Sequence, residues 1–252
     1  MSNDAEVLPP PTRGDIRVAS DRPARNVVTE LVGTAVLMLA GPGVLALAGP
    51  QVGQLGVSIS FGVGVALAIG VIGAVANPVF TLALLVVREI SVRDALGDWV
   101  GQVLGAVIGG AVVWGIDDQR ATSVGVNGVD RLGFGELGAV MAAELAFTVV
   151  VVIVLLSAIS RDHSTPAVAL FTGAAYAVGT LALLGIDGGG MNPARSLGSA
   201  VFADSPGSAF GDLWVFVVVP LVAAVVAVFI WLAIDDAEID DTLFDGTVID
   251  RD

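Results

Sequence analysis

Two asparagine-proline pairs set the chemistry of this sequence. Asn77-Pro78 lies in "VANPVF" and Asn192-Pro193 in "MNPARS", 115 residues apart, and each sits within a long apolar stretch. Glu30 in "TELVGT" and Glu144 in "AELAFT" stand 114 residues apart, so the polar set recurs almost in register. Arg195 follows the second asparagine by three positions. Amides donate and accept, carboxylates accept, and a guanidinium only donates. Such a set holds and orients polar groups without bond chemistry. No cysteine exists, His163 in "SRDHST" is the one histidine and reads as a loop residue, and no Ser-His-Asp arrangement can be completed. We therefore expect no enzyme activity, no metal site and no cofactor.

Proline is favoured in the first helical turn, where its missing N–H costs nothing, and asparagine is a good N-cap. Each pair thus marks a helix start. The helices that follow, from Asn77 to about 87 and from Asn192 through "PARSLGSAVF", are only about ten residues long, or about 15 Å. That is half of a hydrocarbon core of about 30 Å, so the starts fall at mid-depth. The backbone before them, "GAVA" and "GGGM", must line a cavity, because unpaired backbone is not tolerated against lipid. Two N-termini then face one place, each carrying about half a positive charge. With each Asn oxygen engaged as a cap, its NH2 is left to donate into the cavity. A cation or hydronium meets repulsion there, and a neutral hydroxyl finds donors.

The elements that must position these groups are apolar helices. The chain is 55% hydrophobic and 14% charged with a mean hydropathy of +0.88, which places it among polytopic membrane proteins. Apolar segments predict spans over about 27–48, 55–74, 95–116, 137–159, 166–186 and 213–234. Each half reads span, span, short apolar piece, span. Three spans per half is odd, so the second copy enters from the opposite face. The predicted fold is an all-α membrane protein with six transmembrane helices plus two re-entrant half-helices in an inverted repeat. It forms one domain over 26–234, with repeat 1 about 26–116 and repeat 2 about 137–234. A disordered N-terminal tail, 1–25, precedes it, and an acidic tail, 235–252, follows. The glycines within the spans are expected to serve close helix packing.

Arg13, Arg17, Arg22 and Arg25 precede span one, Arg88 and Arg93 precede span three, and Arg161 precedes span five, against Arg120 and Arg131 in the opposite loops. This bias predicts both termini in the cytoplasm of a cell membrane. All eleven basic residues are arginine, Asp and Glu number 25, and the net charge is −14, which excludes nucleic-acid binding. An Asp-rich, Lys-free exterior fits a source living in concentrated salt.

"NPARS" after a glycine-rich approach, the degenerate first copy "NPV", the matched Glu30 and Glu144, and the "LWVFVVVP" opening of span six resemble the aquaporin and glycerol-facilitator family over about 26–234. The resemblance implies a passive channel for water, with glycerol and other small uncharged solutes as further candidates, assembled as a homotetramer in the bilayer. It implies pore-centre motifs at Asn77, Pro78, Val79 and Asn192, Pro193, Ala194. Arg195 matches the arginine of the outer constriction, and Glu30 and Glu144 match the carboxylates that support the re-entrant loops. Family spacing adds Thr180, Gly189 and, in span two, either Val57 or Phe61, one helical turn apart. Water-selective members usually carry a bulky histidine where Thr180 stands, so a wider opening is expected. Ser196 and Ala200 follow the water-channel pattern, Phe216 keeps only half of a span-six aromatic pair, and Val75 and Val79 depart from the usual first motif. A closed structural protein of the same fold and a coupled carrier are the alternatives, the carrier weakened by how few ionisable groups, Glu30 and Glu144 among them, lie in its spans.

Overall fold

A computed structural model describes residues 23–117, 124–129 and 137–235. The acidic tail beyond 235, the tail before Pro23, Arg120 and Arg131 lie outside the described residues. The first helix starts three residues before the expected tail boundary, since Pro23 suits a first helical turn. The elements are α1 (Pro23–Met38), α2 (Val44–Leu67), α3 (Pro78–Val86), α4 (Val92–Ile116), α5 (Leu137–Ser160), α6 (Thr165–Leu183), α7 (Pro193–Val201) and α8 (Pro206–Ile234).

Spans one and two run as one apolar helical stretch, Asn26–Ile72, of 47 residues. At 1.5 Å per residue that is about 70 Å, twice a hydrocarbon core, so it crosses twice. The reversal falls at Gly53, whose φ of 65° and ψ of 179° break the helix where only glycine is unstrained. With α4, α5, α6 and α8 the crossings among the described residues number six. The last span begins seven residues earlier than its apolar run, because Pro206 and Gly207 extend the helix into the preceding polar segment.

The half-helices enter from opposite faces. The five residues after α3 lead directly to the start of α4, where Asn26 Nδ2 of α1 donates to Asp94 Oδ1 at 3.2 Å. At the other end of α4, Trp114 packs on Phe202, the residue that closes α7, with ring centroids 6.1 Å apart. Glycines make these approaches possible. Gly101, Gly105 and Gly109 of α4 recur every four residues and face the backbone of α1, and Gly198 of α7 faces the backbone of Ala106. Gly62 of α2 and Gly173 of α6 lie against each other's carbonyls. A side chain at any of these positions would force the helices apart, which matters where packing drives association.

Candidate pore centre and selectivity site

Asn77 and Asn192 have extended backbones, φ −154° and −146°, and cap their half-helices through the side-chain oxygen. Oδ1 of Asn77 accepts from Val79 N at 3.0 Å, and Oδ1 of Asn192 from Arg195 N at 3.1 Å. The residue before each is left-handed: Ala76 has φ 52° and Met191 has φ 57°. Non-glycine residues seldom sit there. The conformation turns each residue's N–H and C=O to different partners. The N–H goes back to a buried glutamate, and the carbonyl goes forward to the other asparagine: Asn77 Nδ2 donates to Met191 O at 3.0 Å and Asn192 Nδ2 to Ala76 O at 2.8 Å. The sequence left each NH2 wholly to the cavity. One N–H of each amide is in fact spent across the repeat axis, and one remains.

Glu30 and Glu144 are fully buried and act alike. Glu30 accepts from Val75 N and Ala76 N, both at 2.9 Å, and Glu144 accepts from Gly190 N at 2.9 Å and Met191 N at 2.8 Å. A carboxylate at this depth is costly unless each oxygen finds donors. Around these matched clamps the two halves differ. Gln102 Nε2 donates to both Glu30 Oε2 and Thr81 Oγ1 at 2.8 Å, tying α1, α3 and α4 together, while Trp99 Nε1 reaches Pro78 O at 3.4 Å. In the second half Tyr176 OH donates to Gly190 O at 3.1 Å, and Asp187 Oδ1 accepts from Gly189 N at 2.8 Å. Pro78, Val79, Pro193 and Ala194 are buried in the first turns of their helices. Val79 joins the apolar core with Phe80, Ala83 and Val75.

Arg195 is fully buried in the first turn of α7. Its Nη2 donates to Gly188 O at 2.9 Å, its Nη1 donates to Asn127 Oδ1, and its guanidinium carbon lies 5.3 Å from the centroid of the Phe61 ring. The ring in turn stacks on Tyr176 at 6.4 Å and 20°. Val57, one turn away, is buried in the same apolar cluster, and the aromatic face against the guanidinium belongs to Phe61. Room for that ring comes from span one. A π-helical turn, Leu39–Gly43, widens the helix there, and a Cβ at Gly41 would stand 2.5 Å from Phe61. Thr180 and Gly189 adjoin, since a Cβ on Gly189 would meet Thr180 Cγ2 at 3.1 Å. Phe61, Thr180, Gly189 and Arg195 are all buried.

Sequence reasoning overlooked Asn127, Gln102, Tyr176 and Asp187. Gln102 and Tyr176 were recoverable as polar groups within spans, which are expensive there and so have partners. Asn127 lies in a polar connection between the repeats, where nothing in "GVNG" announces a side chain that folds back to the second motif.

A sequence profile described as Major intrinsic protein matches residues 17–231. The chain belongs to the major intrinsic protein family. This family comprises membrane channels, not enzymes, and neither the closed structural protein nor the coupled carrier is favoured. The chain is 35% identical over 156 residues to glycerol uptake facilitator protein-like 6 of Lactiplantibacillus plantarum, covering 61% of this chain and 70% of that one. It is equally 35% identical over 162 residues to aquaporin Z of Brucella melitensis, covering 62% and 70%. The structure of the aquaglyceroporin from Plasmodium falciparum superposes with a TM-score of 0.73 at 20% identity, over 83% of this chain and 96% of that one, a likeness of fold.

Proposed function

We propose that this major intrinsic protein passes water, and small hydroxylated solutes such as glycerol, down their gradients while excluding protons and ions. The reading rests above all on the crossed amides: Asn77 and Asn192 each keep one N–H for a passing oxygen, at the facing N-termini of α3 and α7. Two partial positive charges and two donors favour a solute lone pair and oppose a cation. A water oxygen that accepts from both amides cannot also relay a proton through them. Arg195 is the outer charge barrier, Phe61 rather than Val57 is the apolar wall opposite it, and Thr180 and Gly189 complete the constriction. Glu30 and Glu144 hold the loop backbones and touch no solute.

Glycerol is favoured as a second permeant by one feature. An aromatic face beside a guanidinium and two small residues suits a carbon chain that lies on Phe61 while its hydroxyls meet Arg195. Arg88, Arg93 and Arg161 favour cytoplasmic termini in a multi-pass cell-membrane protein, and a homotetramer is the assembly proposed. Stopped-flow light scattering on proteoliposomes tests the reading. An impermeant osmolyte should cause rapid shrinkage, and a glycerol gradient should give shrinkage followed by re-swelling. Shrinkage no faster than that of empty vesicles defeats the channel, and absent re-swelling defeats glycerol passage alone.

A further inference from the structure

We infer that Asn127, from the connection between the two repeats, fixes the position of Arg195 and thereby sets the selectivity of the channel. The inference rests on Arg195 being the outer barrier, as proposed above. Asn127 belongs to neither half of the inverted repeat, yet it is 95% buried, with a relative exposure of 5%. One oxygen, Oδ1, accepts from Arg195 Nη1 and from Ser196 Oγ, the latter at 2.8 Å. Its Nδ2 donates to Asp187 O at 3.2 Å, and the next residue, Gly128, donates its backbone N–H to the same carbonyl at 3.1 Å. The connection is held at its other side by Val129 N donating to Asp212 Oδ2 of α8 at 3.1 Å.

The amide therefore joins two stretches that meet at Arg195: the loop "DGGGM", which supplies Gly188 O, and the first turn of α7, which carries the arginine. Neutral acceptors suit this task. A guanidinium held by Asn127 Oδ1 and Gly188 O keeps its full charge, whereas a carboxylate in the same place would neutralise the barrier. Lying on the Phe61 ring, the guanidinium has stabilising contacts on its face and at its Nη atoms, so losing the Asn127 oxygen frees it to swing about its own stem. A wider and less uniformly charged constriction results.

The experiment compares Asn127→Ala, Arg195→Val and the double variant in proteoliposomes, reading the ratio of glycerol to water permeability and the proton leak with an internal pH dye. Losing a hydrogen bond to a charged group corresponds to a change on the order of tenfold. Asn127→Ala should shift the ratio and the leak by up to that factor while water flux changes less. The double variant should match Arg195→Val alone, because Asn127 acts through the arginine. Asn127→Gln, which keeps the amide but moves its oxygen by one methylene, should shift the ratio in the same direction, and it serves if the alanine variant does not fold. Additive effects in the double variant, or equal scaling of water and glycerol in both Asn127 variants, would overturn the inference. An Arg195→Val channel with unaltered ratio and leak would instead sink the barrier role of Arg195 itself.

Discussion

Asn77 and Asn192 are tied crosswise, the amide of each donating to the carbonyl just before the other: Asn77 to Met191 O at 3.0 Å and Asn192 to Ala76 O at 2.8 Å. The relationship makes the pore centre one unit contributed by both repeats. Neither half-helix can shift without breaking a bond to its counterpart, so the distance between the two remaining donors is set by the backbone.

Asn192→Asp keeps the cap oxygen for Arg195 N but removes the donor that reaches Ala76 O. It also places a carboxylate between two helix N-termini. Charge there is worth about 1–2 kcal/mol in partly buried geometry, or roughly tenfold in cation occupancy. Proton or sodium leak into dye-loaded proteoliposomes should rise by about that factor while water flux falls. A leak equal to the parent's would remove the amide from the exclusion mechanism.

Glu144→Gln and Gly190→Ala should fail in the same way. The glutamine offers one oxygen to two backbone N–H groups and turns an NH2 toward the other, leaving a buried donor unmet at about 1–3 kcal/mol. The alanine methyl would sit 2.7 Å from the Glu144 carboxyl carbon and push the clamp off its donors. Both variants should unfold at lower temperature in detergent and conduct less water. Gly190→Ala with parental stability would mean that the loop relaxes away from Glu144 without cost.

Much of this architecture was legible in the sequence. Asn77 and Asn192 announced helix starts, their spacing with Glu30 and Glu144 announced a repeat, and an odd number of spans per half inverted it. All of these signals are local or periodic. Asn127 and the packing of the Phe61 ring against Arg195 were not legible, because each depends on how distant segments meet. Phe61 needs the π-turn and Gly41 in span one to accept its ring, and no spacing rule within span two carries that information.

The net charge of −14 with no lysine predicts a salt requirement. Self-repulsion among surface carboxylates is screened over about 30 Å at about 0.01 M salt but over only about 3 Å at 1 M. Unfolding temperature in detergent should therefore rise steadily between those two conditions. Equal stability at both ends would dissociate the acidic exterior from a saline habitat.

The left-handed residues Ala76 and Met191 predict opposite outcomes for the same substitution. An L-residue in that region costs about 1–2 kcal/mol, which glycine does not incur, though glycine loses about 0.5–1 kcal/mol more chain entropy on folding. At Ala76 only a methyl group is removed, so Ala76→Gly should be neutral or raise stability slightly with flux intact. Met191 is different, because its side chain packs into the space beside Gly179, where a Cβ would come within 2.6 Å of the Met191 sulfur. Met191→Gly empties that space, and truncating a buried methionine costs about 2–5 kcal/mol, more than the strain relieved. Ala76→Val adds a β-branch where the left-handed region excludes it, so it should lose both stability and water flux as Ala76 O moves off Asn192. Thermal unfolding with proteoliposome flux on the three variants separates these terms. A stabilised Met191→Gly, or an undisturbed Ala76→Val, would show that these two residues do not hold the crossed amides through their backbone conformation.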